Sequence, residues 1–424
     1  MSAAGRPLNV AIAGFGTVGR PVAKILCEGR HRALRLVAVC TRRPAVGRRD
    51  APWVPPEVFW TGDIHDVLAR PVDVIVELIG GVEPARAWIA AALTSGRAVV
   101  TANKQVIAEH GPDLVSLARA CGSPLRFEAA VAGAVPVIRG LQDGLAGDRV
   151  THIAGVVNGT CNFVLGRMTD AGISLEEAVR EAQARGFAEA DPAADLDGLD
   201  ARAKLSILAS IGFGDHVPAR GISARSIRGI DAGDIDAAAS VGRVIRQVAW
   251  AGRSSNGTGG IAAGVSAALV PRDSWLGRAH GPENVVLVQG ERSGTTVFAG
   301  QGAGGEATAV AVVSDLLAFA HQRSVPLPWP ATSTAGAARD MAFPHYVRVS
   351  RPGAGGGEDP SSALEGGGIE LDRVLDETDE RGNRWSALLR SCHRRDLDAV
   401  LDSLLSAGGA GATAVSLPLF DGQT

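Results

Sequence analysis

Six residues near the start, Gly14-Phe-Gly16-Thr-Val-Gly19, constrain the fold more than any other stretch. They follow a run, Leu8–Ala13, that reads as a buried strand, and an apolar helical pattern covers Val18 to Leu26. Glycines at this spacing permit a tight turn and let backbone approach a pyrophosphate, while the helix N-terminus faces the negative charge. The bare pattern is common, and a plain strand-to-helix turn is its bland reading. With strand before and helix after, it predicts a dinucleotide site at Gly14, Gly16 and Gly19. Apolar runs at Leu34–Val39, Val72–Leu78, Ala98–Thr101 and Leu125–Ala129 alternate with helical patterns at Pro84–Leu93 and Pro112–Ala120. That alternation predicts an α/β, Rossmann-type parallel sheet.

The acid that usually binds the ribose at the end of strand two is missing. The strand runs into Thr41-Arg42-Arg43. Arginine there can bind a 2′-phosphate that an acid would repel, so the loop favours NADP over NAD. A solvated basic loop is the alternative.

Beyond Gly147 the texture changes. Val150–Val157 reads as a strand, Ser174-Leu-Glu-Glu177 as a capping box, and Leu199–Ser210 as a helix. Residues 215–300 read as short strands, such as Val285–Val288, among glycine-rich turns. Ala307–Phe319 is helical and is expected to pack back on the first domain. Residues 330–345 read as a linker. The last segment reads as strand, short helix, strand, strand, helix, strand, the split βαβ order. The expected domains are 1–130 for the dinucleotide, 131–330 for a central α+β catalytic and dimerisation domain, and 342–424 for the C-terminal module.

Composition sets outer limits. The 424 residues suit about three domains. A formal net charge of −3 argues against a nucleic-acid partner held by bulk positive charge. Cys27, Cys40, Cys121, Cys161 and Cys392 show no paired spacing, so neither a zinc site nor a disulfide framework is expected. That usage, without a leader-like start or an 18-residue apolar run, suggests a cytoplasmic protein with no membrane partner.

Asp200 and Lys204 stand four apart on one predicted helix and share a face. A surface ion pair is the simple reading. Two features favour a site: the acid-rich stretch Glu189, Asp191, Asp195, Asp197 before it, and the apolar Leu205-Ser-Ile-Leu-Ala after it. A lysine beside a carboxylate at a pocket mouth can move a proton. A divalent metal on the acids is a third reading. Gly300-Gln-Gly302-Ala-Gly304-Gly305 is either a ligand approach or a flexible loop.

Together these segments resemble the homoserine dehydrogenase family over most of residues 8–320. The stretches that carry the likeness are GFGTVG, VELIGG at 76–81, VVTANK at 99–104, FEAAVAGAVPVI at 127–138, the long run at 157–209 beginning VNGTCNF, and QGAGGEATAVAVVSDL at 301–316. The resemblance implies reversible NAD(P)-dependent oxidation of L-homoserine to L-aspartate 4-semialdehyde. It gives Lys204 the general acid/base role and Asp200 the neighbouring carboxylate. Glu189 and Asp195 join Asp200 around the substrate ammonium, and Lys104 lies near nicotinamide and substrate. Phe15, Thr17, Val18, Gly186 and Gly304 match the family's cofactor-contacting positions. Glu128, Val131, Gly133 and Val135 match a monovalent-cation site, sodium in the family. A homodimer, or dimer of dimers, is implied as well.

The sequence departs from the family where Phe163 and Phe187 replace common tyrosines. The C-terminal module resembles an ACT-type regulatory unit only weakly. Its long glycine-rich loop, Arg351–Ser362, suggests that threonine inhibits little or not at all. Competing readings are an oxidoreductase of the same scaffold acting on another amino-hydroxy acid, and a dinucleotide sensor without catalysis. A semialdehyde dehydrogenase would need a nucleophilic cysteine, for which Cys161 is the sole candidate near a motif.

Overall fold

The computed structural model describes residues 6–253, 260–321, 341–351, 359–377, 384–408 and 411–421. They form two compact units, one holding 6–150, 203–219 and 298–321, the other 151–202, 220–297 and the C-terminal residues.

The first unit starts with a six-stranded parallel sheet, order β3-β2-β1-β4-β5-β6. Its elements are β1 (Leu8–Ala13), α1 (Gly19–Cys27), β2 (Leu34–Cys40), α2 (Pro44–Arg49), β3 (Phe59–Thr61), α3 (Ile64–Leu68), β4 (Val74–Glu77), α4 (Ala85–Thr94), β5 (Ala98–Thr101), α5 (Lys104–Cys121) and β6 (Leu125–Arg126). Strands covered on both faces read as continuous apolar runs, and β4 is buried at every position. The order reverses between β1 and β4, where open α/β sheets bind ligands at their strand ends.

One boundary differs from expectation and matters for the site. The helix expected from Pro112 begins at Lys104, with Pro112 in its interior. Proline removes one helical hydrogen bond and crowds the preceding turn, at about 3 kcal/mol. The Asn103 side chain caps the helix through Val106 N–H, and Val106, Ile107, Leu114 and Val115 are buried along it, which offsets that cost. β6 is also shorter than expected and passes into a 3₁₀ turn at Glu128–Ala130, followed by the short helix α6 (Val137–Arg139).

The second sheet has the order β12-β11-β7-β9-β10-β8. It comprises β7 (Val150–Val156), β8 (Ser223–Ala224), β9 (Arg243–Arg253), β10 (Ile261–Pro271), β11 (Glu283–Gly290) and β12 (Gly294–Gln301). The helices of this stretch are α7 (Gly159–Ala171), α8 (Leu175–Ala184), α9 (Ala193–Leu196), α10 (Leu199–Phe213) and α11 (Ala232–Ser240). The expectation of short strands across 215–300 is corrected here. β9 and β10 are eleven residues each and pair antiparallel along their whole length. Both are buried at nearly every position, so they lack the alternation that marks a strand with one wet face. Further on, α12 (Gly305–Ala320) buries Ala309, Val312, Val313 and Leu316 in one apolar cluster with Val22 and Leu26 of α1.

The chain then forms β13 (Ala342–Ser350), α13 (Pro360–Gly366), β14 (Leu371–Glu377), β15 (Arg384–His393), α14 (Arg394–Ala407) and β16 (Thr413–Pro418). The sheet order is β14-β15-β13-β16, antiparallel throughout. The strand expected at Tyr346 begins at Ala342, inside the stretch read as a linker. Residues 330–340, and 352–358 of the glycine-rich loop, lie outside the described residues.

This C-terminal sheet packs Val347, Val349, Trp385, Leu397, Leu401 and Leu404 into a cluster with its own helices and sends other side chains into clusters that it shares. Tyr346, Leu388 and Leu417 share a buried cluster with Phe163, Leu165, Leu196 and Ile227. Phe420 joins a second cluster with Val248 and Leu276, and its N–H bonds to Leu269 O. Each such side chain contributes about 1.5–3 kcal/mol on burial. A domain's whole stability is about 5–15 kcal/mol. A chain ending at Met341 is therefore expected to lose cooperative thermal unfolding and to bind a hydrophobic dye. A truncated chain melting within a few degrees of full length would contradict this.

Candidate active site

The turn after β1 is shaped by backbone packing. Gly14 has φ +108°, and a Cβ there would lie 2.5 Å from Leu78 O; one at Gly19 would lie 2.0 Å from Gly14 O. Gly16 differs, because a Cβ there would meet nothing within 4 Å. Gly14 and Gly16 border a cleft of about 420 Å³, also lined by Phe15, Thr41, Arg42, Leu78, Ile79, Gly80 and Trp88. Arg42 is the charged residue of the lining. Cys40 lines it too, and burial, chiefly, pushes its thiol up to about 11, so it presents a neutral wall.

The other expected cofactor residues are placed as follows. Thr17 and Val18 complete the turn into α1, with Thr17 exposed. Arg43 stands at the start of α2, exposed and outside the cleft lining. Gly304, φ +112°, precedes α12. At Gly305, the last glycine of the 300–305 stretch, a Cβ would lie 2.1 Å from Thr17 O. The second glycine-rich stretch thus packs directly on the fingerprint turn. Gly186, φ +73°, follows α8 and is exposed.

A buried carboxylate ties the next two loops together. Glu77 is 1% exposed at the end of β4. Its Oε1 accepts from Ile79 N–H at 2.8 Å and its Oε2 from the Thr101 hydroxyl at 2.5 Å. Thr101 Oγ accepts from Asn103 N–H at 2.9 Å, and Asn103 Nδ2 donates to Gly81 O at 2.7 Å. The ring joins the Leu78–Gly81 side of the cleft to the first turn of α5, where Lys104 stands half-buried. Burial pushes the Glu77 carboxyl up, against the pull of these donors.

In the second unit, Asn158 collects the acids. Its Oδ1 caps α7 by accepting from Cys161 N–H at 2.8 Å. Its Nδ2 donates to Asp195 Oδ1 at 2.7 Å and to Asp200 Oδ2 at 2.9 Å. Asp195 is braced through its carbonyl, which accepts from the Cys161 thiol and from Gln247 Nε2, each at 3.1 Å. Cys161 is fully buried in that structural role, which suits packing better than nucleophilic attack. Asp200 opens α10 and Lys204 follows one turn later, as the spacing implied. Sequence reasoning missed Asn158; an Asn-Gly ahead of a helical run was the available signal.

Other acids of the loop are engaged elsewhere. Asp197 accepts from the Ser226 hydroxyl at 2.7 Å and from Arg228 Nε at 3.2 Å, and these partners, Ser226 first, lower its pKa. Asp191 caps the turn at Ala193 N–H. Glu189 is exposed and is not among the carboxylates that Asn158 gathers. The phenylalanines that replace tyrosines, Phe163 and Phe187, pack together at 4.9 Å between ring centroids.

The expected cation residues cluster after β6. Glu128 is buried, and its two carboxylate oxygens accept from Ile138 and Arg139 N–H, each at 2.9 Å. Burial, with Asp315 nearby, pushes it up to about 7. Ala132 and Gly133 both turn left-handed, at φ +57° and +56°, between Val131 and Val135. A Cβ at Gly133 would lie 2.7 Å from Gly302 O. The Val135 carbonyl accepts from Val137 N–H at 2.8 Å. The buried Glu128 carboxylate is the charged oxygen donor of this stretch, the kind of group that suits a hard cation.

Residues 14–128 match the family pattern described as homoserine dehydrogenase, NAD binding domain, and residues 136–317 that described as homoserine dehydrogenase. The chain is 40% identical over 315 residues to the homoserine dehydrogenase of Synechocystis, covering 73% of this chain and 72% of that one. With the Mycobacterium tuberculosis homoserine dehydrogenase it shares 41% over 324 residues, 75% of this chain and 73% of that one. Among solved structures, a Thiobacillus denitrificans homoserine dehydrogenase superposes with a TM-score of 0.87 at 31% identity, over 98% of this chain and 99% of that one. A hyperthermophilic archaeal homoserine dehydrogenase in complex with NADPH gives 0.65 at 26% identity, over 76% and 99%.

The Glu77 ring yields a direct test. A glutamine there would set an amide donor against Ile79 N–H or the Thr101 hydroxyl, and an unmet buried donor costs about 1–3 kcal/mol. Glu77→Gln should therefore raise the cofactor KM about tenfold in steady-state assays. An unchanged cofactor KM would show that the ring does not shape the cleft.

Proposed function

The chain belongs to the homoserine dehydrogenase family, NAD(P)-dependent oxidoreductases that act on a CH–OH donor in threonine and methionine biosynthesis, and from that premise we propose how its own residues divide the work. The observation that carries the reading is the Asn158 amide, which gathers Asp195 and Asp200 one helical turn ahead of Lys204. Homoserine carries an ammonium, and two carboxylates held on one amide are a ready acceptor for it. Glu189, exposed on the same acid-rich stretch, completes the set.

Bound nicotinamide supplies the acceptor for the hydride that leaves the hydroxyl carbon. Lys204 as a neutral amine takes the hydroxyl proton. In the reverse direction its ammonium polarises the aldehyde oxygen and returns that proton. Lys104, fixed at the start of α5 by the Glu77 ring, is assigned to the nicotinamide end.

NADP is the preferred cofactor in this reading. Arg42 lines the cleft and no acid does, and an archaeal relative was solved with NADPH. Glu128 and the carbonyls of Val131, Gly133 and Val135 would hold sodium as a structural brace. The C-terminal sheet is assigned as a degenerate ACT-like module on its βαββαβ order. A cytoplasmic homodimer completes the proposal; among the described residues no helix is long and apolar enough to cross a membrane.

Two substitutions test the assignments. Lys204→Ala should lower kcat by about 10²–10⁴, the usual size of a lost general acid/base, with folding intact by circular dichroism. Near-normal turnover would remove Lys204 from the chemistry. Arg42→Ala should weaken NADP by about 10- to 100-fold and leave NAD almost unchanged, since one charge-assisted phosphate contact is worth about 1.5–3 kcal/mol. Equal losses for both cofactors would mean that Arg42 does not read the 2′-phosphate.

A further inference from the structure

Residues 225–231 form a strap whose two sides are held by different parts of the second unit. On one side, Ile227 N–H donates to Leu196 O at 2.9 Å. The Ser226 hydroxyl and Arg228 Nε both reach Asp197 Oδ1, at 2.7 and 3.2 Å. Leu196 and Ile227 are buried in one apolar cluster. These bonds fix Leu196 and Asp197, at the junction between α9, which carries Asp195, and α10, which carries Asp200.

On the other side the strap is held by the C-terminal sheet. Arg348 of β13 donates from Nη2 to Gly229 O at 2.7 Å. The same guanidinium bonds to the fully buried Asp234 through Nε and Nη2, at 2.9 and 3.1 Å. Tyr346 donates to Asp234 Oδ1 at 2.8 Å, and Arg384 forks onto Asp231 at 2.9 and 3.1 Å. At the strap's start, Arg225 pairs with Asp398 of α14.

A loop of this kind without anchors would sample many conformations, at about 1–2 kcal/mol per residue to order. Carboxylates resting on it would move with it. We infer that the strap, anchored by Arg348, positions the homoserine-binding acids, so that Arg348 is a positioning residue for substrate although it lies in the C-terminal sheet. The inference rests on the reading that Asp195 and Asp200 bind the substrate ammonium. A misplacement of about 1 Å in a binding group can cost on the order of 100-fold. The effect should fall on homoserine alone, because the cofactor cleft is built by residues of the other unit.

Arg348→Lys tests this in the full chain. It keeps a cation against Asp234 but loses the planar fork that spans Asp234 and Gly229 O. The homoserine KM should rise about tenfold while the cofactor KM stays within about twofold. Ser226→Ala combined with Arg228→Ala removes both side-chain bonds to Asp197 from the strap's more exposed side, without touching the Asp234 cluster. It should give the same selective rise, and all three changes together should give less than the product of the two effects. Should Arg348→Lys fail to fold, the Ser226 and Arg228 pair decides alone. An unchanged homoserine KM, or an equal rise for both substrates, would overturn the inference. Asp195→Asn separates the two layers: if it raises the homoserine KM and the strap variants do not, only the strap falls. If Asp195→Asn itself leaves that KM unchanged, the site reading falls with it.

Discussion

Two carboxylates meeting on one amide group set the demands that the rest of the second unit answers. Like charges at close range repel by about 1–4 kcal/mol, depending on how much water screens them. Asp195 and Asp200 bear that cost around Asn158 Nδ2. Asp200 recovers part of it by standing in the first turn of α10, where the helix N-terminus favours an anion. Asn158 cannot swing away, because its other amide atom caps α7. The pair is thus held on one amide, and on the proposed reading an ammonium arriving there would find the site already assembled.

Holding repelling groups in place requires stiffness from outside the loop. It comes first from two side chains: the Cys161 thiol and the Gln247 amide both donate to the Asp195 carbonyl. It comes next from residues 225–231, and through them from Arg348 and Tyr346. The Asp234 cluster works as an anchor because its members are mutually satisfied. Asp234 takes Tyr346 and Arg348, and it also accepts from Asp231 N–H in the capping box of α11. A buried charge with a full set of donors is costly to disturb, since removing one partner leaves the others desolvated and unpaired. The C-terminal sheet is on this view part of the catalytic unit's frame, consistent with the apolar clusters it shares with α7, α8, β9 and β10.

Much of this was legible in the sequence where the signal is local. The fingerprint turn, the parallel strands of the first sheet, the capping box at Ser174 and the βαββαβ order of the last segment all rest on short-range patterns. What was not legible is what depends on partners far along the chain. β9 and β10 carry no alternation because both their faces are covered. The start of α5 was missed because Pro112 outweighed the Asn103 cap as a visible signal. Asn158 looks like any turn asparagine until Asp195 and Asp200, 37 and 42 residues away, are brought to it. Glu77 looks like a strand end until Thr101 supplies its donor. Spacing placed Asp200 and Lys204 on one helix, whereas no spacing separates Asp195, which joins the site, from Asp197, which turns to Ser226 and Arg228.

The glycines of the first motif show why such a pattern is weak alone and strong in context. Gly14 and Gly19 are demanded by the protein itself, because a side chain at either would strike backbone oxygen. Any tight strand-to-helix turn could require them. Gly16 is under no such demand: it is exposed, with open space where a Cβ would go. In a turn that served packing alone, that position would tolerate other residues, and glycine's greater loss of freedom on folding would count against it. Glycine there suits a site where something outside the polypeptide approaches the backbone closely, and the cleft beside it, with Arg42 on its wall, is where a phosphate-bearing ligand would do so. Gly305 extends the same logic, since its missing side chain lets the start of α12 close against Thr17 and hold the turn to its shape. Two glycines and a distant third thus build the turn, and the middle glycine is the one that speaks for the ligand.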